Sequence, residues 1–113
     1  MTETTSYRAV ALQTNCRAIA ATETADEARD LIARNIDRIG RQIPPTIAWT
    51  GMDTRLIVLP EYVLTGFPMG ESPEEWIAKA CLSDGCREFE ALGRNAEENN
   101  GDLAGNGYEV DVN

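Results

Sequence analysis

A single carboxylate, Glu61, follows the most apolar short run of the chain, within the segment RLIVLPEYVLTGFP at residues 55–68. Four consecutive apolar residues at 56–59 predict a strand buried on both faces, which is typical of parallel sheets. Pro60 has no N–H to donate and therefore ends the strand. Because α/β proteins place their chemistry at the carboxyl ends of such strands, Glu61 is a candidate functional residue. The alternative is a solvated carboxylate with no role beyond ending the strand.

The chain contains no histidine. This absence excludes Ser-His-Asp and Cys-His catalysis, histidine-ligated zinc and imidazole acid–base chemistry within these residues. The available reactive groups are carboxylates, tyrosines, one lysine and three cysteines. Cys16, Cys81 and Cys86 form no C-x-x-C pair, which predicts free thiols in a reducing cytoplasm. Cys16 follows a predicted strand, but no base lies near it in sequence, which favours a structural role over a reactive thiol.

The composition is that of an acidic globular protein. Hydrophobic residues make up 42% of the 113 residues, and 19 acidic against 10 basic side chains give a net charge of −9. Since this charge repels phosphates, it argues against nucleic acid and anionic membranes as partners and suits a protein that handles small molecules. No apolar run approaches the roughly 20 residues that cross a bilayer, and the N-terminus lacks the features of a signal peptide. We therefore expect a cytoplasmic protein.

Hydrophobic periodicity predicts strands that alternate with helices. The predicted elements are, in order, a strand over residues 7–14, a helix over 24–41, the strand before Glu61, helices over 72–82 and 86–99, and an extended segment over 102–112. This β-α-β-α-α-β order implies parallel strand pairing and an α/β fold.

Local signals mark several boundaries of these elements. Capping-box sequences begin the first two helices at Thr24 and Ser72, and Pro44-Pro45 is expected to end the first of them. Residues 46–54 are expected to form a connector in which Trp49 covers the edge of the core. Asn106-Gly107 is consistent either with a continuous extended segment or with a hairpin turn.

The segment LPEYVLTGFP resembles the nitrilase, or carbon–nitrogen hydrolase, superfamily. In that family a strand ends in Pro-Glu and is followed at a short spacing by Gly and an aromatic residue, here Pro60, Glu61, Gly66 and Phe67. The sequences YRAVALQT, ARDLIARNIDRI and EFEALGRNAEENN, the last leading into DLAGNGYEV, are similar to the first half of the family. The resemblance implies that residues 1–113 form one partial domain, the N-terminal portion of a four-layer αββα sandwich.

The resemblance also implies a Glu-Lys-Cys mechanism on a nitrile or amide, without a metal or organic cofactor. A Cys thiolate attacks the carbon, the Glu is the general base, and the Lys stabilises negative charge in the tetrahedral species. Only Glu61 matches a family position, that of the general base. The Lys and Cys motifs are expected beyond Asn113, so the chain alone is expected to be inactive. Tyr62 and Phe67 are candidate substrate-pocket residues, and homo-oligomers are common in the family.

Lys79, Cys81 and Cys86 supply the missing residue types but match neither family motif. Lys79 and Cys81 lie two residues apart on a predicted helix and therefore project in different directions. We interpret Lys79 as a surface side chain and the two cysteines as small core residues.

The main alternative function is a small non-catalytic α/β module that binds a ligand or associates with a partner chain. The lack of histidine and of a well-placed nucleophile favours it. A nucleotide-binding domain is a weaker alternative, because no G-x-G-x-x-G motif or P-loop follows a strand. A partial sandwich is also expected to leave one sheet face and one edge uncovered.

Overall fold

Three helices and two small parallel sheets form the mixed α/β fold in this computed structural model, which describes residues 6–83 and 85–110. The elements are β1 (Arg8–Ala11), α1 (Ala25–Thr50), β2 (Thr54–Val58), α2 (Pro73–Ala80), β3 (Cys81–Leu82), α3 (Arg87–Glu98), β4 (Asp102–Ala104) and β5 (Tyr108–Glu109). One sheet has the order β1-β2-β4, and β3 pairs with β5 in the other. Every described pair is parallel, which confirms the predicted α/β class. The short strand β3 was not predicted.

Helix α1 runs from Ala25 to Thr50, so the prediction that Pro44-Pro45 ends it is wrong. The buried stripe of the helix continues past the prolines through Ile43 and Ile47. Burying such a side chain is worth about 1.5–3 kcal/mol, which is comparable with the cost of about 3 kcal/mol for a proline inside a helix. Tertiary packing therefore overrides the local stop signal.

Trp49 belongs to this extension and is 91% exposed, so the prediction that it covers the core edge is wrong. It lies off the stripe that α1 buries.

Gly40 lies where α1 approaches α3. A Cβ at this position would lie 2.6 Å from Oδ1 of Asn95, a side chain of α3. Gly40 therefore permits a close contact between the two helices.

Among the residues that the structure describes, helices cover the β1-β2-β4 sheet on one face only. On the helix side Ile57 is buried, with Val10 and Leu103 as its half-buried neighbours in the register. On the other side Val58 is 40% exposed and pairs with the exposed Ala11 and Ala104. The prediction that β2 is buried on both faces is therefore wrong for these residues. The predicted uncovered face is present.

The segment after α3 forms two strands and no hairpin within the described residues. Strand β4 pairs with β2, whereas β5 pairs with β3 in the second sheet. Asn106-Gly107 therefore connects two sheets, and the hairpin alternative is wrong. The end of the predicted extended segment, residues 111–112, lies outside the described residues.

Glu88 is a carboxylate buried in the first turn of α3, with only 5% of its surface exposed. Burial raises its pKa, but its own backbone N–H, the Cys86 side chain and the Arg87 guanidinium outweigh burial and hold the pKa below its usual value. The Arg87 Nε lies 3.4 Å from the Glu88 carboxylate. Ionised Glu88 therefore stabilises the folded state.

Because the pKa of Glu88 is lowered on folding, its stabilisation is present above the unfolded-state pKa and is lost as the pH falls through the folded-state pKa. We expect Glu88→Gln to lower the free energy of unfolding at neutral pH, and the difference from wild type to shrink as the pH falls to about 3. Urea denaturation at several pH values measures this. Glu90→Gln, an exposed site on the same helix, is the control. A difference that stays constant with pH contradicts the expectation.

Candidate functional site

Glu61 lies in a tight turn at residues 60–66, called the Glu61 turn, directly beyond the carboxyl end of β2. The Leu59 N–H still donates to Ala104 O at 2.8 Å, but Pro60 has no N–H, and the ladder to β4 ends there. The turn then closes on itself, since the N–H groups of Thr65 and Gly66 both donate to Tyr62 O, at 3.2 and 2.7 Å. Within this turn the Glu61 side chain is exposed to solvent.

Tyr62 adopts a left-handed backbone conformation with φ of 62°, which is costly for a residue with a Cβ. Two other loops hold it. Its N–H donates to Oδ1 of Asn106 at 3.1 Å, and its carbonyl also accepts from the Cys16 thiol at 2.9 Å. Strained residues of this kind persist only where the surrounding structure enforces them, and they cluster at functional sites.

The rest of the turn is deeply buried and tied to the loop after β1. Asn35 of α1 is 0% exposed, and its Nδ2 donates to Arg17 O at 3.0 Å and to Leu64 O at 2.9 Å. The Ile19 N–H donates to Thr65 O at 2.9 Å. These bonds join the carboxyl ends of β1 and β2, so the base of the Glu61 turn is rigidly positioned.

A cleft of about 230 Å³, called the Glu61 cleft, opens beside this carboxylate. Its lining consists of Glu61, Tyr62, Thr65, Asn106, Gly107 and Tyr108. The Tyr62 and Tyr108 rings are stacked with centroids 6.2 Å apart, and Trp76 meets Tyr108 edge-on at 5.3 Å. The cleft therefore combines one carboxylate with two aromatic walls, and its described lining contains no basic side chain.

The Tyr108 hydroxyl remains protonated well above neutral pH. Burial raises the pKa of Tyr108 most and Tyr62 raises it further, the Trp76 side chain lowers it in part, and Cys81 and Glu61 add smaller increases. Tyr108 can therefore donate a hydrogen bond in the cleft, while Glu61 can accept one.

The two residues predicted for the substrate pocket differ in position. Tyr62 lines the Glu61 cleft, whereas Phe67 is outside its lining and packs edge-on against Tyr62 with ring centroids 5.8 Å apart. Phe67 is 56% exposed. Of the pair, only Tyr62 can touch a ligand that lies against Glu61 within this cleft.

Lys79, Cys81 and Cys86 do not line the cleft. The Lys79 ammonium donates to Thr22 O, and Cys81 lies in β3 with its thiol buried. Burial raises the pKa of the Cys81 thiol, which disfavours the nucleophilic thiolate. Cys86 is half-buried at the N-cap of α3.

Comparison with protein-family models, with curated proteins and with solved structures finds no match to this chain. None of the helices in the described residues has the length and apolarity needed to cross a membrane. In residues 6–83 and 85–110, no group of three or more carboxylates and thiols is arranged to hold a metal ion.

Sequence reasoning did not identify Asn106, Tyr108 or Asn35 as parts of the site. Asn106 and Tyr108 follow β4, whose carboxyl end must lie beside that of β2 because the two strands are parallel. Asn35 stands between apolar residues of the α1 stripe, where a polar residue indicates a buried hydrogen-bonding role. The signal at Asn35 was present in the sequence, whereas the pairing of β4 with β2 is a feature of the tertiary structure.

Proposed function

We propose that this chain carries the general-base segment of a carbon–nitrogen hydrolase, with Glu61 as the base and a nitrile or amide as the substrate. The observation that supports it best is the position of Glu61 beyond the carboxyl end of β2, in the lining of a cleft with aromatic walls. A ligand carbonyl or nitrile in this cleft would lie beside a proton acceptor, Glu61, and a proton donor, Tyr108.

The proposed role of Glu61 is proton transfer. With an amide, Glu61 takes the proton from an attacking thiol, the sulfur bonds to the carbonyl carbon, and the C–N bond breaks as the nitrogen leaves with that proton. With a nitrile, the same addition places the proton on the nitrogen and gives a thioimidate, in which the C–N bond remains. No lysine or cysteine lines the described part of the cleft. The proposal therefore assigns only the base to this chain, and the thiol must be added.

An added small thiol tests whether this chain supplies the general base and lacks only the nucleophile. With para-nitroacetanilide and a small thiol, we expect the purified chain to accelerate thiol-dependent release of para-nitroaniline, followed by absorbance. Without the thiol, we expect no ammonia from nitriles or primary amides. Because general-base catalysis contributes 10² or more, Glu61→Gln should lower the thiol-dependent rate about 10²-fold. Glu97→Gln, which changes an exposed carboxylate outside the cleft, is the control and should leave the rate unchanged.

Equal rates for wild type and Glu61→Gln would contradict the proposed base. Thiol-independent ammonia release that Glu61→Gln abolishes would instead show that the chain needs no added nucleophile.

A partner-association module is the second candidate, and the uncovered face of the β1-β2-β4 sheet favours it. Val58, at 40% exposure, and the neighbouring alanines present an apolar surface there. The same assay separates the two candidates, because a non-catalytic module shows no acyl transfer that depends on Glu61.

A further inference from the structure

A second cavity, of about 370 Å³, lies beside the Glu61 cleft and is called the apolar pocket. Its hydrophobic walls are Leu59, Val63, Leu64, Phe89, Leu92 and Leu103. The first three are buried in the core, whereas the side chains from α3 and β4 are half-buried and therefore reach solvent. Its volume falls within the range of about 300–1,000 Å³ that small-molecule sites occupy.

The apolar pocket and the Glu61 cleft share a wall, because Asn106 and Gly107 line both. The wall is low. The Asn106 side chain accepts from the Tyr62 N–H, and its two neighbours are glycines without side chains. A Cβ on Gly105 would lie 3.4 Å from Leu59, and one on Gly107 would lie 3.8 Å from Leu64. The connecting loop therefore runs close over the buried leucines, with no side chain from either glycine between the two cavities.

Charge restricts what the combined site can hold. The charged residues in the two linings are Glu61 and Glu109, both carboxylates. The chain as a whole has a net charge of −9. An anionic ligand is therefore repelled, while an uncharged ligand with an apolar tail gains from the hydrophobic walls.

The geometry points to a bipartite site in which the Glu61 cleft takes an uncharged amide or nitrile head and the apolar pocket takes the aliphatic or aryl tail of the same molecule. The assignment of the head group rests on the proposed function. The assignment of the tail rests on the apolar walls, so the two can fail separately.

A homologous series of linear primary amides, from acetamide to octanamide, tests the tail pocket by titration of the purified chain. Because each buried methylene contributes a nearly constant free energy, we expect Kd to fall about fourfold per added methylene until the pocket is full. Hexanoate should bind more weakly than hexanamide at neutral pH, because its carboxylate faces Glu61 and Glu109. In wild type, the longer amides should shift the NMR methyl signals of Leu92 and Leu103 more than those of Ile32, which does not line the pocket.

Leu92→Asn places an amide in the pocket wall and should remove most of the gain in affinity per added methylene. Leu31→Asn is the matched control, since Leu31 is also half-buried against the core but does not line the pocket. Affinity that does not rise with chain length in wild type would overturn the inference. An equal rise in Leu92→Asn, or methyl shifts at Ile32 as large as those at Leu92, would also overturn it.

Glu61→Gln distinguishes this inference from the proposed function. If the gain per methylene persists while the thiol-dependent reaction does not depend on Glu61, the tail pocket stands and the hydrolase proposal fails. If the reaction depends on Glu61 but affinity does not rise with each methylene, the hydrolase proposal stands and the tail pocket fails.

Discussion

Replacing Asn35 with leucine should lower the free energy of unfolding by about 2–4 kcal/mol, because two backbone carbonyls lose their partner. Arg17 O and Leu64 O both accept from the single Nδ2 of Asn35; the bond to Leu64 O is buried and the bond to Arg17 O is partly buried. An unsatisfied buried acceptor costs about 1–3 kcal/mol, and small proteins are stable by only about 5–15 kcal/mol in total. The variant should therefore lose a large share of its stability, measured by urea denaturation.

The loss should be concentrated at the Glu61 turn. Since Leu64 belongs to that turn, Asn35→Leu should increase hydrogen exchange at the Gly66 N–H, which donates to Tyr62 O. Asn15→Leu, at an exposed position in the loop after β1, is the control and should change stability by less than about 0.5 kcal/mol. A stability of Asn35→Leu within that margin of wild type would show that the two carbonyls find other partners.

Gly66→Ala should be comparably destabilising, by about 2–5 kcal/mol, for two separable reasons. Gly66 has φ of 68°, a left-handed conformation that costs a residue with a Cβ about 1–2 kcal/mol. The new Cβ would also lie 2.7 Å from Cβ of Ala18, and overpacking of this kind costs about 1–3 kcal/mol. Thermal or urea denaturation gives the total.

A double-mutant cycle separates the steric cost from the backbone cost. Adding Ala18→Gly removes the contact between the two Cβ atoms but leaves the left-handed conformation and a 3.1 Å approach to the Ala18 Cα, so the double variant should recover only part of the total cost. Gly93→Ala is the control, because Gly93 lies in α3 with no atom within 4 Å of its added Cβ, and it should stabilise the helix by about 0.5–1 kcal/mol. If Gly66→Ala is as stable as wild type, the loop after β1 does not press on the Glu61 turn as the structure indicates.

Local signals in the sequence were sufficient where neighbouring residues determine the structure. The capping box at Ser72 forms as predicted, with Glu75 N donating to Ser72 Oγ at 3.2 Å and Ser72 N donating to Glu75 Oε2 at 3.0 Å. At Thr24 the side chain also accepts from Glu27 N, but the Glu27 carboxylate binds Glu23 N in place of the cap residue's own N–H. The first turns of both helices thus follow from residues within four positions of each other.

The same kind of local reasoning failed where distant contacts compete with it. Pro44-Pro45 is a strong stop signal, yet α1 continues because Ile43 and Ile47 are buried in the core. Leu56 and Val58 have the composition of a doubly buried strand, but no element of the described chain covers their face. In both cases the energy depends on what packs against the residue, which a pattern along the chain does not contain.

The sequence by itself determined that this is a parallel α/β protein with a carboxylate, Glu61, beyond the carboxyl end of a strand that Pro60 ends. These features depend on hydrophobic periodicity and on the missing N–H of proline, both of which are local. Only the tertiary structure decided what surrounds Glu61: the Asn35 bridge between two loops, the left-handed Tyr62 and the cleft wall at Asn106 and Tyr108. Those contacts join residues far apart in the chain, so they exist only once the helices and sheets have packed.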